Sequence, residues 1–364
     1  MRTIATGSNG LSLKMRAGNK ILTLFILPVI ALACSEESYR VMFTEFDTGS
    51  AVSIRGLHVI SESLVWASGT GGTFLLTTDG GETWKIDTVP GASGDDFRSL
   101  HAWNEKEAVV FGTSRPGRAY YTRDGGESWE IVYENNSGGI FFNSAVFADD
   151  STGLALSDPL DSTSFVIRTT DRGRSWHVIK NMPVLKTGEY NFAASNTCID
   201  YHPDGDIWII TGGAGARVFI SDDHGKNWTV AETGLVHENP SSGNFSVSFI
   251  DDRSGIVVGG TYDKPELNDQ IAAFSSDGGY NWSLAEIMPR EYRSCIVWLQ
   301  DGKRKIAFSV GKTGCDYSLD MGRTWLPGTD INDYYTARAV EGTLTGFAAG
   351  ADGKLARFVV ERME

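Results

Sequence analysis

Two sets of residues recur along this chain in settings where they could do chemistry. The first is aspartate in the frame Ser/Thr-x-Asp-x-Gly-x-x-Trp, which occurs six times, at Asp79, Asp124, Asp171, Asp223, Asp277 and Asp320. A tryptophan follows each by five residues: Trp84, Trp129, Trp176, Trp228, Trp282 and Trp325. Repeated carboxylates could serve as acids and bases or as Ca²⁺ ligands, but no copy has a second acid at ligand spacing within its own turn. A scaffold role explains the motif better. The glycine supplies a left-handed turn conformation, the aspartate accepts from turn N–H groups, and each indole can bury on the order of 150–250 Å² against a neighbouring sheet.

The second set is basic and amide. Arg55, Arg98, Asn143, Asn196, Arg293 and Arg338 stand near the start of comparable segments, with Phe245 at the same place in the remaining one. If those segments line a channel, the set rings its mouth on the face opposite the aspartate motifs. There guanidinium forks could receive a carboxylate or another anion bidentately. Acids on the same face, Asp95, Asp96, Glu189, Glu291 and Asp333, could instead pair with the arginines and only fix the loops. His58 and His101 fall three residues further along and read as packed wall residues rather than bases. Glycoside hydrolysis would need two carboxylates facing across a cleft. Asp96, Asp158, Glu189 and Asp333 are candidates, but no spacing singles out a pair.

The elements that must position these residues can be counted. The motif aspartates are separated by 45, 47, 52, 54 and 43 residues. Short apolar segments recur in step with them: LVWASG, AVVFG, GLALS, IWIITG, GIVVGG, KIAFSVG and GFAAG, seven in all. Units of about 40–50 residues with four strands each are the signature of a β-propeller. The expected fold is therefore all-β, a seven-bladed propeller of four-stranded antiparallel blades spanning residues 41–362. The last unit ends without a tryptophan motif or a fourth strand, and Val41–Phe46 has no nearby partner. That N-terminal strand should close the last blade.

The six motifs resemble the Asp-box, or BNR repeat, of sialidases, some glucanases and the photosystem II stability/assembly factor family. Further stretches, including Gly188–Asn196, Ser242–Ser246, Tyr292–Ser294 and Asp316–Ser318, are similar to a bacterial branch related to that assembly factor, whose members are often labelled oxidoreductase or glycosyl hydrolase. The resemblance covers roughly residues 41–362 and implies a binding or assembly role without a transferable catalytic set. A sialidase-like activity would call for an Arg-Ile-Pro motif near the start of the propeller, and Ile54-Arg55-Gly56 is a poor substitute. No Gly-rich dinucleotide turn, haem or iron–sulfur cysteine pattern occurs, so neither a cofactor nor a metal is expected.

The net charge is −14. Removing residues 1–33, which carry four cations and no acid, leaves −18, a balance that argues against a nucleic-acid partner. Residues Ile21 to Ala33 form an apolar run too short for a comfortable span. Lys14, Arg16 and Lys20 precede it and Ala31-Leu32-Ala33-Cys34 ends it. This reads as an export signal, with Met15 a possible true start, followed by a lipoprotein-like Cys34 and a linker over 34–40. A membrane would then be met only through a lipid on Cys34. The expected protein is a monomeric envelope propeller whose partner is a protein or an anionic or saccharide ligand.

Overall fold

A computed structural model describes residues 38–363. The export signal, Met15 and Cys34 lie outside the described residues. Tyr39 onward forms one unit of seven antiparallel sheets, and no helix occurs among the described residues. Each sheet is a blade. Their inner strands, in chain order, are Ile54–Val59, Ser99–Ala102, Phe142–Phe147, Ile199–Tyr201, Ser242–Phe249, Cys295–Asp301 and Tyr334–Ala339. Each touches the next, and the seventh touches the first, so the ring is closed around a channel.

Burial follows the position of a strand within its blade. Middle strands such as Val65–Gly69 and Ile207–Ile210 are buried along their whole length because adjacent blades cover both faces. Such strands read as continuous apolar runs rather than alternating ones. Outer strands such as Lys85–Thr88 are exposed, hence their charge. The core lies between blades: Phe74 of blade 1 packs with Leu100, Val110 and Trp129 of blade 2, and Val109 and Phe111 of blade 2 pack with Ala155, Ile167 and Trp176 of blade 3.

The N-terminal strand Tyr39–Glu45 pairs antiparallel with Leu355–Arg362, from Tyr39 opposite Arg362 to Glu45 opposite Ala356. Phe43 stacks on Phe358 with ring centroids 5.6 Å apart. The hydroxyl of Tyr317, in the neighbouring blade, donates to the Tyr39 carbonyl at 3.0 Å. The expected closure of the last blade is thus realised, beginning at Tyr39.

The Asp motifs all build one turn. The Ser/Thr hydroxyl accepts from the glycine N–H, as Thr122 does from Gly126 at 2.9 Å, and donates to the aspartate, 2.9 Å for Asp124. The carboxylate then accepts both the N–H and the side chain of the residue before the tryptophan: Thr83, Ser128, Ser175, Asn227, Asn281 or Thr324. That position therefore needs a donor, a regularity that the frame quoted above leaves open. Hydrogen bonds from Thr83 and Ser128 hold the Asp79 and Asp124 carboxyls down at about 2. These acids are consumed by the scaffold.

Candidate functional site

The channel is crossed by its own chain. Between blades 3 and 4 the backbone turns at Gly188 (φ +82°), runs through Asn191–Ser195 and turns again at Asn196 (φ +59°), a conformation asparagine tolerates. This strap is held by its carbonyls. Asn143 Nδ2 donates to Asn191 O at 3.1 Å, Arg98 to Ala193 O at 3.1 Å and Arg55 to Ala194 O at 3.4 Å. Thr336 and Arg338 donate to Ser195 O at 2.8 and 3.2 Å, and Arg338 also to Asn196 O at 2.9 Å. Asn196 Oδ1 in turn accepts the Ala145 N–H at 2.6 Å. Five of the six basic and amide candidates thus gather on one segment, reaching it from blades 1, 2, 3 and 7.

The strap is anchored at both ends. The Glu189 side chain is fully buried; it accepts from Arg217 Nε at 2.8 Å, from the Thr211 hydroxyl and from the Lys186 N–H at 2.7 Å. Although burial disfavours its charge, these donors hold the Glu189 carboxyl below its ordinary range. Phe192 lies flat on Phe245, centroids 3.8 Å apart. It fits only because residue 212 is glycine, since a Cβ there would stand 2.2 Å from the Phe192 ring.

Above the strap, on the face away from the Asp motifs, is a cavity of about 420 Å³. Its wall is aromatic, with Tyr190, Phe192, Phe245, Tyr262, Tyr292 and Tyr335, and its charged lining is Arg55, Arg98 and Lys312. Local irregularity aims several of these side chains. The pairing of inner and second strands slips between Ile54 and Gly56, Phe142 and Ser144, Asn244 and Ser246, and Tyr334 and Thr336. Bulges re-aim the residue they leave unpaired, and here those residues are Arg55, Asn143, Phe245 and Tyr335. No residue type announces a bulge, so the sequence alone does not reveal that Tyr335, not Thr336, stands level with Arg55.

Arg98 is paired with Asp96 at 2.7 Å. Arg55 and Lys312 have no carboxylate within ion-pair distance among the described residues. The Arg55 guanidinium lies 4.2 Å over the Tyr335 ring, a favourable cation–π position. Burial, and then the neighbouring Arg98 charge, push its pKa below the ordinary arginine value. It is a cation lacking its counter-ion.

Two candidates sit elsewhere. Arg293 has no exposed surface: its Nε donates to Asp316 Oδ2 at 2.7 Å and its Nη1 to Tyr292 O at 2.8 Å, while Arg290 takes the other oxygen of Asp316. Of the three arginines expected to converge at one mouth, Arg55 and Arg98 therefore do and Arg293 does not. Arg338 lies below the strap, level with His58, because it stands three residues beyond the bulged Tyr335 just as His58 stands three beyond the bulged Arg55. There it lines a second cavity of about 430 Å³ with His58, His101, Asp200 and Trp298. The two histidine rings touch at 4.3 Å between centroids, yet neither ring makes a hydrogen bond to another described residue. Burial first, then the Arg338 charge, push His58 down to about 4.

The candidate acids are dispersed. Asp96 is taken by Arg98, Glu189 by Arg217, and Asp333 lies 3.7 Å from Lys354. Burial raises Asp158 to about 6, against the opposing pull of Arg98 and a 2.8 Å bond from Asn143. No carboxylate lines the upper cavity among the described residues. Cys198, Cys295 and Cys315 are all free, and no cluster of described residues could hold a metal ion.

A closed ring of seven four-stranded blades stapled by these turns defines an Asp-box β-propeller. The family model for the BNR/Asp-box repeat matches residues 120–130 and 219–230, the second and fourth copies. No curated protein matches the chain. Similar solved structures include YCF48 bound to a D1 peptide, at TM-score 0.60 and 17% identity, covering 88% of this chain and 95% of that one. YCF48 from Cyanidioschyzon merolae is similar at TM-score 0.60 and 17% identity, covering 87% and 98%. The WD40 propeller domain of Doa1 follows at 0.59 and 13%, covering 88% and 97%. At these identities the likeness is one of fold.

Proposed function

We propose that this chain is a non-catalytic binding module, anchored at the cell envelope through Cys34, that receives an anionic segment of a protein partner in the cavity above the strap. The observation that carries the proposal is the pair Arg55 and Lys312: two cations with no carboxylate within ion-pair distance, in an aromatic-walled cavity that no described carboxylate lines. A partner's carboxylate would complete the Arg55 fork, and its apolar side chains would cover Phe245 and Tyr262. The solved YCF48 with its D1 peptide supports a peptide as the ligand type for this fold. A glycosidase reading has less behind it, because the carboxylates it would use are committed to arginine or lysine partners or lie outside the cavity.

Fluorescence anisotropy tests the proposal, using a peptide library presented as free C-terminal acids and as amides. Selected acids should bind and their amides should not, and Arg55→Gln should weaken binding by about tenfold or more, the loss of one charge-assisted contact. Oligouronates in the same assay test a saccharide partner. Glycan turnover abolished by one carboxylate substitution would overturn the non-catalytic reading. For the anchor, Cys34→Ala should move the protein from the membrane to the soluble fraction and remove labelling by a fatty-acid probe.

A further inference from the structure

The cavity below the strap is separate from the one just discussed. Its lining runs from Asn196 and Thr197 of the strap to Val59, Phe249 and Ala339 at the far ends of the inner strands. Donors without protein partners, and a cation without an ion-pair partner, gather there. The ring nitrogens of His58 and His101 make no hydrogen bond to a described residue. Asn196 has its amide oxygen occupied by the Ala145 N–H, and its NH₂ is unused. Arg338 spends the hydrogen bonds of its two terminal nitrogens on carbonyls, the Thr336 hydroxyl and the Cys295 sulfur, but has no carboxylate within ion-pair distance. The single acid, Asp200, is already engaged by the N–H groups of Phe249 at 2.7 Å and Tyr201 at 2.9 Å, with His202 3.7 Å away. Apart from Thr197 and Ser248 the rest of the wall is apolar, including Phe147, Phe249, Val297 and Trp298.

From this arrangement we infer that the lower cavity is a second binding site, for a small monocarboxylate with an apolar body. The carboxylate lies at Arg338, Asn196 and the two imidazoles, and the body lies against Phe147, Phe249 and Trp298. Arg338 is the one cation on this wall and has no carboxylate within ion-pair distance, which suits a ligand with one negative charge. A second charge on the ligand would meet Asp200, so dicarboxylates and phosphate are disfavoured. The cavity volume of about 430 Å³ falls within the range of small-molecule sites.

The probe is benzoate, with benzamide as its uncharged counterpart, titrated into the whole protein while histidine ring resonances are followed by NMR. Benzoate should move the His58 and His101 resonances and leave His177 and His237 in place; benzamide should move neither. Ala339→Phe, which projects into the lower cavity, should abolish the shifts, and Lys312→Gln, above the strap, should leave them unchanged. Should Ala339→Phe not fold, His58→Phe keeps the ring contact and removes a donor; benzoate should then bind about tenfold more weakly, read at His101. Silence of both histidines at saturating benzoate overturns the inference. So does an equal response to benzamide, survival of the shifts in Ala339→Phe, or their loss in Lys312→Gln.

Discussion

Arg55 and Arg293 begin equivalent inner strands and carry the same group, yet their surroundings give them opposite roles. Arg293 is neutralised by Asp316 and has no exposed surface. Arg55 stands on a bulge with its guanidinium over an aromatic ring and no acid within ion-pair distance. Removing Arg293 would leave the buried Asp316 carboxylate to Arg290 alone, a loss on the order of 1–3 kcal/mol, so Arg293→Gln should lower stability while Arg55→Gln should not; thermal denaturation of the two variants checks this. Asp158 carries a second prediction. Its folded pKa of about 6 lies above the ordinary carboxyl value, because burial favours the neutral form. The folded state is thus favoured while the carboxyl is protonated, and stability falls as pH rises from about 4 to about 6. Asp158→Asn should therefore be more stable than the wild type at pH 7.5 by on the order of 1–3 kcal/mol, with the advantage vanishing near pH 4 in paired melting curves.

Two devices, the Asp-box turn and the strap, organise the elements. Each turn closes the third and fourth strands of a blade and places an indole against a neighbouring blade, as Trp129 does against Phe74 at 5.3 Å. In Asp320→Ala the Ser318 hydroxyl and the Thr324 N–H and hydroxyl lose their common acceptor, a cost of about 1–2 kcal/mol measurable by urea denaturation. The strap depends on fit. Gly212→Ala would drive a methyl into the Phe192 ring and lift the aromatic floor of the upper cavity. The expected results are a lower melting temperature, protease cleavage between residues 188 and 196, and weakened peptide binding. Normal resistance to protease in that variant would show that the strap does not need its glycine.

For the whole molecule, closure is the decisive event. Seven blades form a ring only when Tyr39–Glu45 completes the sheet begun by the last three strands of the chain. A chain lacking residues up to Glu45 would leave the Leu355–Arg362 edge unpaired and Phe358 partly uncovered, a template for association between chains. Size-exclusion chromatography should show oligomers or aggregates where the full chain runs as a discrete species.

The blade count, the strand order and the closing strand were all legible in the sequence, because each rests on local signals. Turn residues, a tryptophan at fixed spacing and short apolar runs repeat in register, and a unit lacking its fourth strand must borrow one. The site was legible in composition but not in arrangement. Arg55, Arg98, Asn143, Asn196 and Arg338 could be named, since charged and amide residues at the starts of inner strands stand out against acidic surroundings. Only tertiary structure decided that they clasp a strap, that Arg293 is sealed against Asp316, and that Arg338 and the two histidines face a different cavity. The physical reason is that a one-residue bulge turns a side chain from wall to mouth, and that the strap's carbonyls are met by donors 48–143 residues away in the chain. Those contacts exist only once the ring has closed.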